Sequence, residues 1–311
     1  MATIYLGIGA QKAGTSWLYH QLKRGEAFRQ GLGKEYHVLD SLFRPGLDDF
    51  TKVFSDELVA LRERKEQRAH ERSALQRVLA PLFALKERRN PTPTQRAIAR
   101  KERLLDMIAG KENYYDYIAS RLGAPDTFTA DFTPSYSALS AEHLADVRRE
   151  FDRRGIQVKV IFILREPVCR LESAVRMGMR NEGRLTEDGS ASAAQRMLTY
   201  GGSAHERTRS NYPEVVENLE AVFPREDVLI EFYERLFEPA SLAAVAGFCG
   251  LDPDSFETDR YYNQSASHFT YPREVIDELV ERYRHIYGFV EQRFDFDLGL
   301  WTESRARLLQ D

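Results

Sequence analysis

Cysteine is nearly absent from the 311 residues, Cys169 and Cys249 being the only two. Two thiols cannot build a disulfide framework, and these two show no metal-ligand spacing, so both are expected to be small apolar core residues and no metal is expected. Long apolar runs are missing too. Stretches such as VKVIFIL at 158–164 fall far short of the ~20 residues that a membrane span requires, and no basic segment precedes an apolar one at the N-terminus. The expectation is a cytoplasmic protein with no transmembrane segment and no nucleic-acid partner. A composition of 42% hydrophobic and 30% charged residues excludes a disordered or fibrous chain. A strong excess of one charge is also lacking, since 44 Lys+Arg stand against 48 Asp+Glu, a net −4.

What is present is an alternation of apolar runs and helical patterns. Runs at 3–9, 157–164 and 227–232 read as buried parallel strands, followed by helical segments at 14–24, at 167–180 and up to about 249. A weaker strand, TFTAD at 127–131, precedes a helix with Ser140 as N-cap and Gly155 as C-cap. A last long helix is expected over about 272–292, starting at Pro272, with Val275, Leu279, Tyr283 and Ile286 on one face. No internal repeat is apparent. The order predicts an α/β fold with a central parallel sheet covered by helices on both faces, in a single domain over 1–311.

Residues 51–112 interrupt the alternation and hold the positive charge, with 15 Lys+Arg against 9 Asp+Glu. Leu75, Val78, Leu79, Leu82 and Leu85 recur at helical spacing, NPTP at 90–93 breaks the pattern, and Ile98, Leu104, Leu105 and Ile108 resume it. This predicts a helical insertion. Its basic surface is either a solvated face or a surface that attracts an anionic acceptor.

The first strand runs into GAQKAGTS at 9–16 and then a helix. A helix that opens from a glycine-containing loop presents unpaired N–H groups and a positive dipole end, so this is an anion-binding arrangement. A triphosphate-binding loop places lysine directly after the second glycine. Here Thr15 stands there and the lysine is Lys12, three residues earlier. A second chemical cluster lies at 160–177, VIFILREPVCRLESAVRM, where Arg165 ends an apolar strand, Pro167 opens a helix, and Ser173 follows two turns in.

QKAGTSWL and the pair Arg165/Ser173 resemble the two nucleotide motifs of the sulfotransferases that use 3′-phosphoadenosine 5′-phosphosulfate (PAPS). KEYHVLD at 34–40, DFTPSYSAL at 131–139 and VLIEFYERL at 228–236 are similar to segments of the bacterial and glycan-type branch, including heparan-sulfate-type domains. The resemblance implies a P-loop-like three-layer fold that binds PAPS and releases 3′-phosphoadenosine 5′-phosphate (PAP), with no metal requirement. It further implies that Gln11, Lys12, Ala13, Gly14, Thr15 and Ser16 hold the 5′-phosphosulfate, and that Arg165 and Ser173 grip the 3′-phosphate. Trp17 is implied to stack on adenine, against the alternative of a core aromatic. Lys12 is suited to the leaving-group oxygen and Lys34 to the acceptor or the sulfonate. Glu35 is the implied general base, with His37 as rival. Asp131 and Tyr136 are expected to line the acceptor side. Phe132 departs from the pattern, standing where many relatives carry lysine, and NQSASH at 263–268 takes the place of a glycine- and lysine-rich nucleotide loop.

The expected function is sulfuryl transfer to an acceptor hydroxyl, of a glycan, glycolipid or other metabolite, with anionic acceptors in view. Two alternatives stand: a P-loop kinase-like phosphotransferase, and a non-catalytic nucleotide-binding protein on the same fold. The sequence does not fix the oligomeric state.

Overall fold

The computed structural model describes residues 1–46, 49–70, 91–184, 189–258 and 269–309. The chain divides into two compact units, one of residues 1–35 and 121–311 and the other of residues 36–120. In chain order, β1 (Ala2–Gly9) and α1 (Thr15–Leu22) come first. The second unit carries α2 (Leu39–Phe43), α3 (Thr51–His70), α4 (Pro93–Ala109) and most of α5 (Lys111–Arg121). Then follow β2 (Phe128–Asp131), α6 (Ala141–Asp152), β3 (Ile156–Leu164) and α7 (Pro167–Asn181). Helices α8 (Gly189–Gly201), α9 (Ala204–Ser210) and α10 (Tyr212–Val222) lead to β4 (Val228–Phe232) and α11 (Pro239–Cys249). The chain ends with α12 (Arg273–Arg282), α13 (Arg284–Arg293) and α14 (Leu298–Ala306). Among the described residues, no helix is long and apolar enough to cross a membrane.

In the first unit the four strands form one parallel sheet, in the order β2-β1-β3-β4, flanked by helices. β1 registers Ile4 against Thr129 of β2 and against Val158 of β3. Such central strands are covered on both faces, which explains why Ile4, Leu6, Ile8 and Val160 through Leu164 are all buried and why they read as unbroken apolar runs. Cys169 and Cys249 are buried free thiols, as expected. The Phe132 ring lies over Gly7, where an added β-carbon would come within 2.4 Å of it, so Gly7 is fixed by close approach. Phe132 itself is completely buried, and its backbone N–H donates to the Lys34 carbonyl at 2.7 Å, anchoring that segment beside the end of β2.

Helix boundaries follow local chemistry. Ser140 caps α6, its side chain accepting from the His143 N–H, an interaction worth about 1 kcal/mol. Gly155, expected as its C-cap, sits two residues past the observed cap, Arg153, and takes the left-handed turn into β3 with φ +66°. The single helix expected over 272–292 is two. Tyr283 leaves helical geometry at φ −96° and ψ 10°, held by its burial and by its hydroxyl, which donates to Glu206 Oε1 at 3.1 Å. A one-residue break leaves the apolar periodicity intact, so sequence pattern could not reveal it.

In the second unit, Thr92 opens α4 with a capping box completed by Gln95. Helices α3 and α4 pack through Phe54, over which Lys101 sits at 4.0 Å, and through the Arg62–Glu102 pair. Only Phe54 and Leu58 of α3 are buried, so most of its charge faces solvent. The expected helix carrying Leu75, Val78, Leu79, Leu82 and Leu85 lies outside the described residues, as do the start of NPTP and all of NQSASH.

Candidate functional site

The site grows from the ends of adjacent strands β1 and β3. Beyond β1, the Ala10 N–H donates to the Ile163 carbonyl at 2.8 Å, which ties the start of the loop to β3. Lys12 takes φ +70° and Gly14 φ +83°, two left-handed positions that curl the loop before α1 begins. Gly14 is fixed twice over, because a β-carbon there would also lie 3.1 Å from Leu236 and 3.2 Å from Tyr233. Gly14 is the N-cap residue and supplies no side chain to the first turn of α1, which also carries no acidic residue. An uncapped helix start with no competing carboxylate favours an external anion.

Lys12 lies half-buried, with Nζ 3.9 Å from the Met177 sulfur on α7. Burial pushes its pKa down to about 8, and the neighbouring cations Arg180, Arg165, Arg176 and Lys34 push the same way. Arg165 crosses to the loop, its Nη1 donating to the Lys12 carbonyl at 2.5 Å, while its guanidinium stacks 4.4 Å above the Tyr233 ring. The Arg165 Nε is buried and has no hydrogen-bond partner. Ser173 is buried on α7, whose N-terminus is capped by the Glu166 side chain accepting from the Cys169 N–H. Ser173, Arg176 and Arg180 are spaced three and four apart, so they share a face of α7.

Lys34 connects the loop to Glu35. Its ammonium donates to Thr15 Oγ1 at 3.3 Å and pairs with Glu35 Oε1 at 2.6 Å. Glu35 is the more exposed of the two, at 39% against 20% for Lys34. Thus Arg165 meets the loop at Lys12, and Lys34, paired with Glu35, meets the start of α1 at Thr15, with Ser173 one helical turn from Met177.

Other expected site residues are placed differently. Trp17 is only 3% exposed, edge-on to Phe237 and Phe256, with Nε1 donating to the Glu257 carbonyl at 2.7 Å. A ring held in that way is packed as a core aromatic, the alternative that the sequence left open. Asp131 and Tyr136, expected on the acceptor side, are both fully buried. Tyr136 donates to one Asp131 oxygen at 2.8 Å and Thr133 to the other at 2.6 Å, so they lock the turn after β2 instead. Gln11 and Ser16 are half-buried in the loop and the first turn of α1, and Ala13 is fully buried beneath the loop.

His37 belongs to the second unit. It is a non-glycine residue at φ +53°, stacks on Phe50 at 3.6 Å between centroids, and shares a hydrogen between Nδ1 and Asp40 Oδ2 at 2.8 Å. The chain turns at His37, so this residue does not continue an extended run from Glu35. Fully buried Asp40 accounts for the histidine structurally.

Sequence reading missed Arg176, Arg180 and Tyr233. The two arginines carried a signal, their helical spacing from Ser173. Tyr233 lies within the family-like segment VLIEFYERL, but its stacking under Arg165 depends on how β4 pairs with β3.

No protein-family model matches the chain, and a search of curated proteins returns no match. Among solved structures, a sulfotransferase from Alicyclobacillus acidocaldarius superposes with a TM-score of 0.54 at 16% identity, over 96% of this chain and 98% of that one. A sulfotransferase domain from the Synechococcus PCC 7002 olefin synthase gives 0.42 at 16% identity, over 100% of this chain and 95% of that one. One from the curacin biosynthetic pathway gives 0.41 at 15% identity, over 98% and 96%. The first of these carries the comparison: the chain has the sulfotransferase fold.

Proposed function

We propose that the chain is a PAPS-dependent sulfotransferase acting on an acceptor hydroxyl. One observation carries the reading: half-buried Lys12 stands among Arg165, Arg176, Arg180 and Lys34, at an uncapped helix start, with cations as its foremost charged neighbours. Lys34 and Arg176 have carboxylate partners in Glu35 and Glu172, but a cluster of this sign at a helix start still favours a multiply anionic ligand. The donor set fits a nucleotide bearing two phosphate groups. The loop N–H groups, Lys12 and Thr15 take the 5′-phosphosulfate, and Arg165, with its spare buried Nε, takes the 3′-phosphate together with Ser173.

The acceptor oxygen attacks sulfur as its proton passes to Glu35. The bond between sulfur and the bridging oxygen breaks, and its electron pair stays on the 5′-phosphate, where Lys12 balances the growing charge. By analogy with phosphoryl transfer, most of the catalysis is positioning and charge stabilisation. Lys34, between Thr15 and Glu35, holds the base in register with the donor loop. Glycans, glycolipids and other hydroxyl metabolites remain the proposed acceptors, with anionic ones drawn by the basic segment 51–112.

Calorimetry with PAP and with ATP, each with and without Mg²⁺, followed by transfer from radiolabelled PAPS into fractionated cell extract, tests the reading. PAP binding independent of Mg²⁺ and a labelled acceptor are expected. Binding of ATP in preference to PAP would overturn it in favour of a phosphotransferase, and PAP binding without transfer would leave a nucleotide-binding protein.

A further inference from the structure

The peptide that joins Arg165 to Glu166 is held at both ends. The Arg165 carbonyl accepts from the Tyr212 hydroxyl of α10 at 2.9 Å, and the Glu166 N–H donates to Glu234 Oε1 at 2.9 Å. Glu234 is itself fixed by Trp301 of α14, whose indole N–H donates to Oε2 at 2.9 Å, and burial pushes the Glu234 pKa up.

The Glu166 side chain, fully buried, divides its two oxygens between separate tasks. Oε2 accepts from the Cys169 N–H at 2.5 Å, which satisfies the start of α7. Oε1 accepts from the Tyr287 hydroxyl of α13 and from Arg305 Nη1 of α14 at 3.2 Å. Arg305 also donates to the Tyr287 oxygen at 3.2 Å, closing a three-membered network. Capping α7 needs only the first oxygen. The second carries the network of two helices more than 120 residues away onto the residue that follows Arg165.

Building on the reading of Arg165 as the 3′-phosphate arginine, we propose that Glu166 is a positioning residue for it, ordered by Tyr287 and Arg305. The two C-terminal helices then belong to the machinery that distinguishes a 3′-phosphorylated nucleotide from one without that group. The physical need is plain. A guanidinium recognises a phosphate through a planar fork whose supporting shell must hold it to about half an ångström, and Arg165 sits at a strand end where the backbone would otherwise be free to turn. A buried carboxylate must also be paired, and here its partners come from the end of the chain.

The test measures binding of PAP and of 5′-AMP to the full-length protein by calorimetry. Glu166→Gln and Arg305→Ala are expected to weaken PAP by about 5- to 50-fold while 5′-AMP changes less than about twofold, with Arg305→Lys recovering most of the loss. Tyr287→Phe keeps the ring and deletes a single hydroxyl, so it remains folded and decides the matter if the other variants do not; a selective loss of about two- to fivefold for PAP is expected. Equal weakening of both nucleotides, or no change in either while Arg165→Ala still discriminates between them, overturns the positioning role alone. If Arg165→Ala itself weakens both equally, the assignment of the 3′-phosphate falls first and this inference with it.

Discussion

Arg165 reaches across 153 residues of sequence to donate to the Lys12 backbone carbonyl at 2.5 Å, so the two strand-end loops are tied to each other. Arg165→Ala should cost the 3′-phosphorylated nucleotide about 2–4 kcal/mol, the worth of a charge-assisted contact in a partly buried site, and 5′-AMP much less. Titrating the variant with PAP and 5′-AMP in parallel checks this, and equal losses would refute it.

Lys12 has its pKa lowered from 10.5 to about 8 by burial and then by Arg180, Arg165, Arg176 and Lys34. Between those two values the unfolded chain keeps a proton that the folded protein has released, so the stability of the ligand-free protein should rise with pH across that window. A bound anion favours protonated Lys12. Nucleotide binding near pH 9 should therefore take up a proton, and affinity should decline as pH climbs above about 8. Calorimetry in two buffers of different ionisation enthalpy reads the uptake directly, and Lys12→Met should abolish it.

Glu35→Gln keeps size and hydrogen bonding but cannot take a proton. Turnover should fall by roughly 10²–10⁴ with PAP affinity nearly unchanged. His37→Ala should act differently, because it strips a partner from buried Asp40 at 2.8 Å and removes the stack on Phe50. A loss of about 1–3 kcal/mol in stability is expected, with turnover per folded molecule largely kept. Denaturation and kinetics on both variants separate the roles, and normal turnover by Glu35→Gln beside a dead but folded His37→Ala would reverse them.

Gly7→Ala should destabilise the protein, since the new methyl would meet Phe132 at 2.4 Å in a packed core. Overpacking of this kind costs about 1–3 kcal/mol. Adding Phe132→Leu should recover part of the loss, a coupling that a double-mutant cycle of urea midpoints would measure. Strict additivity would show that the two positions do not press on each other.

Reversing exposed cations of α3 outside its contacts with α4, such as Arg64 and Lys65, should raise the Michaelis constant for an anionic acceptor at low salt. PAP affinity should stay as it was. Exposed charge works by long-range attraction and is screened within about 10 Å at 0.1 M salt, so the difference should vanish as salt is added. Kinetics unchanged at every ionic strength would make the basic segment an ordinary solvated face.

The sequence by itself determined the sheet and the glycine-containing loop between β1 and α1. Strands buried on both faces must be apolar along their whole length, so β1, β3 and β4 were legible within a residue or so. A phosphate-type loop needs glycine, a cation and hydroxyls in a short span, so Lys12, Gly14 and Thr15 were legible as a group. Ser140 announced α6 because a cap is a local bond between a side chain and the backbone three residues on. What only the tertiary structure decided are the properties that depend on residues far apart in the chain. Trp17 is packed edge-on to Phe237 and Phe256, contacts that no local pattern shows. The turn at His37 and the burial of Asp131 arise from partners whose bonding no periodicity encodes. Above all, Arg165 looked complete with Ser173, yet the peptide that follows it is held by Tyr212 and Glu234, and the Glu166 side chain by Tyr287 and Arg305, partners that come from far along the chain. Local chemistry chooses which residues can hold an anion, and long-range packing fixes where each one points, because a buried polar group must find its partner wherever the fold brings one.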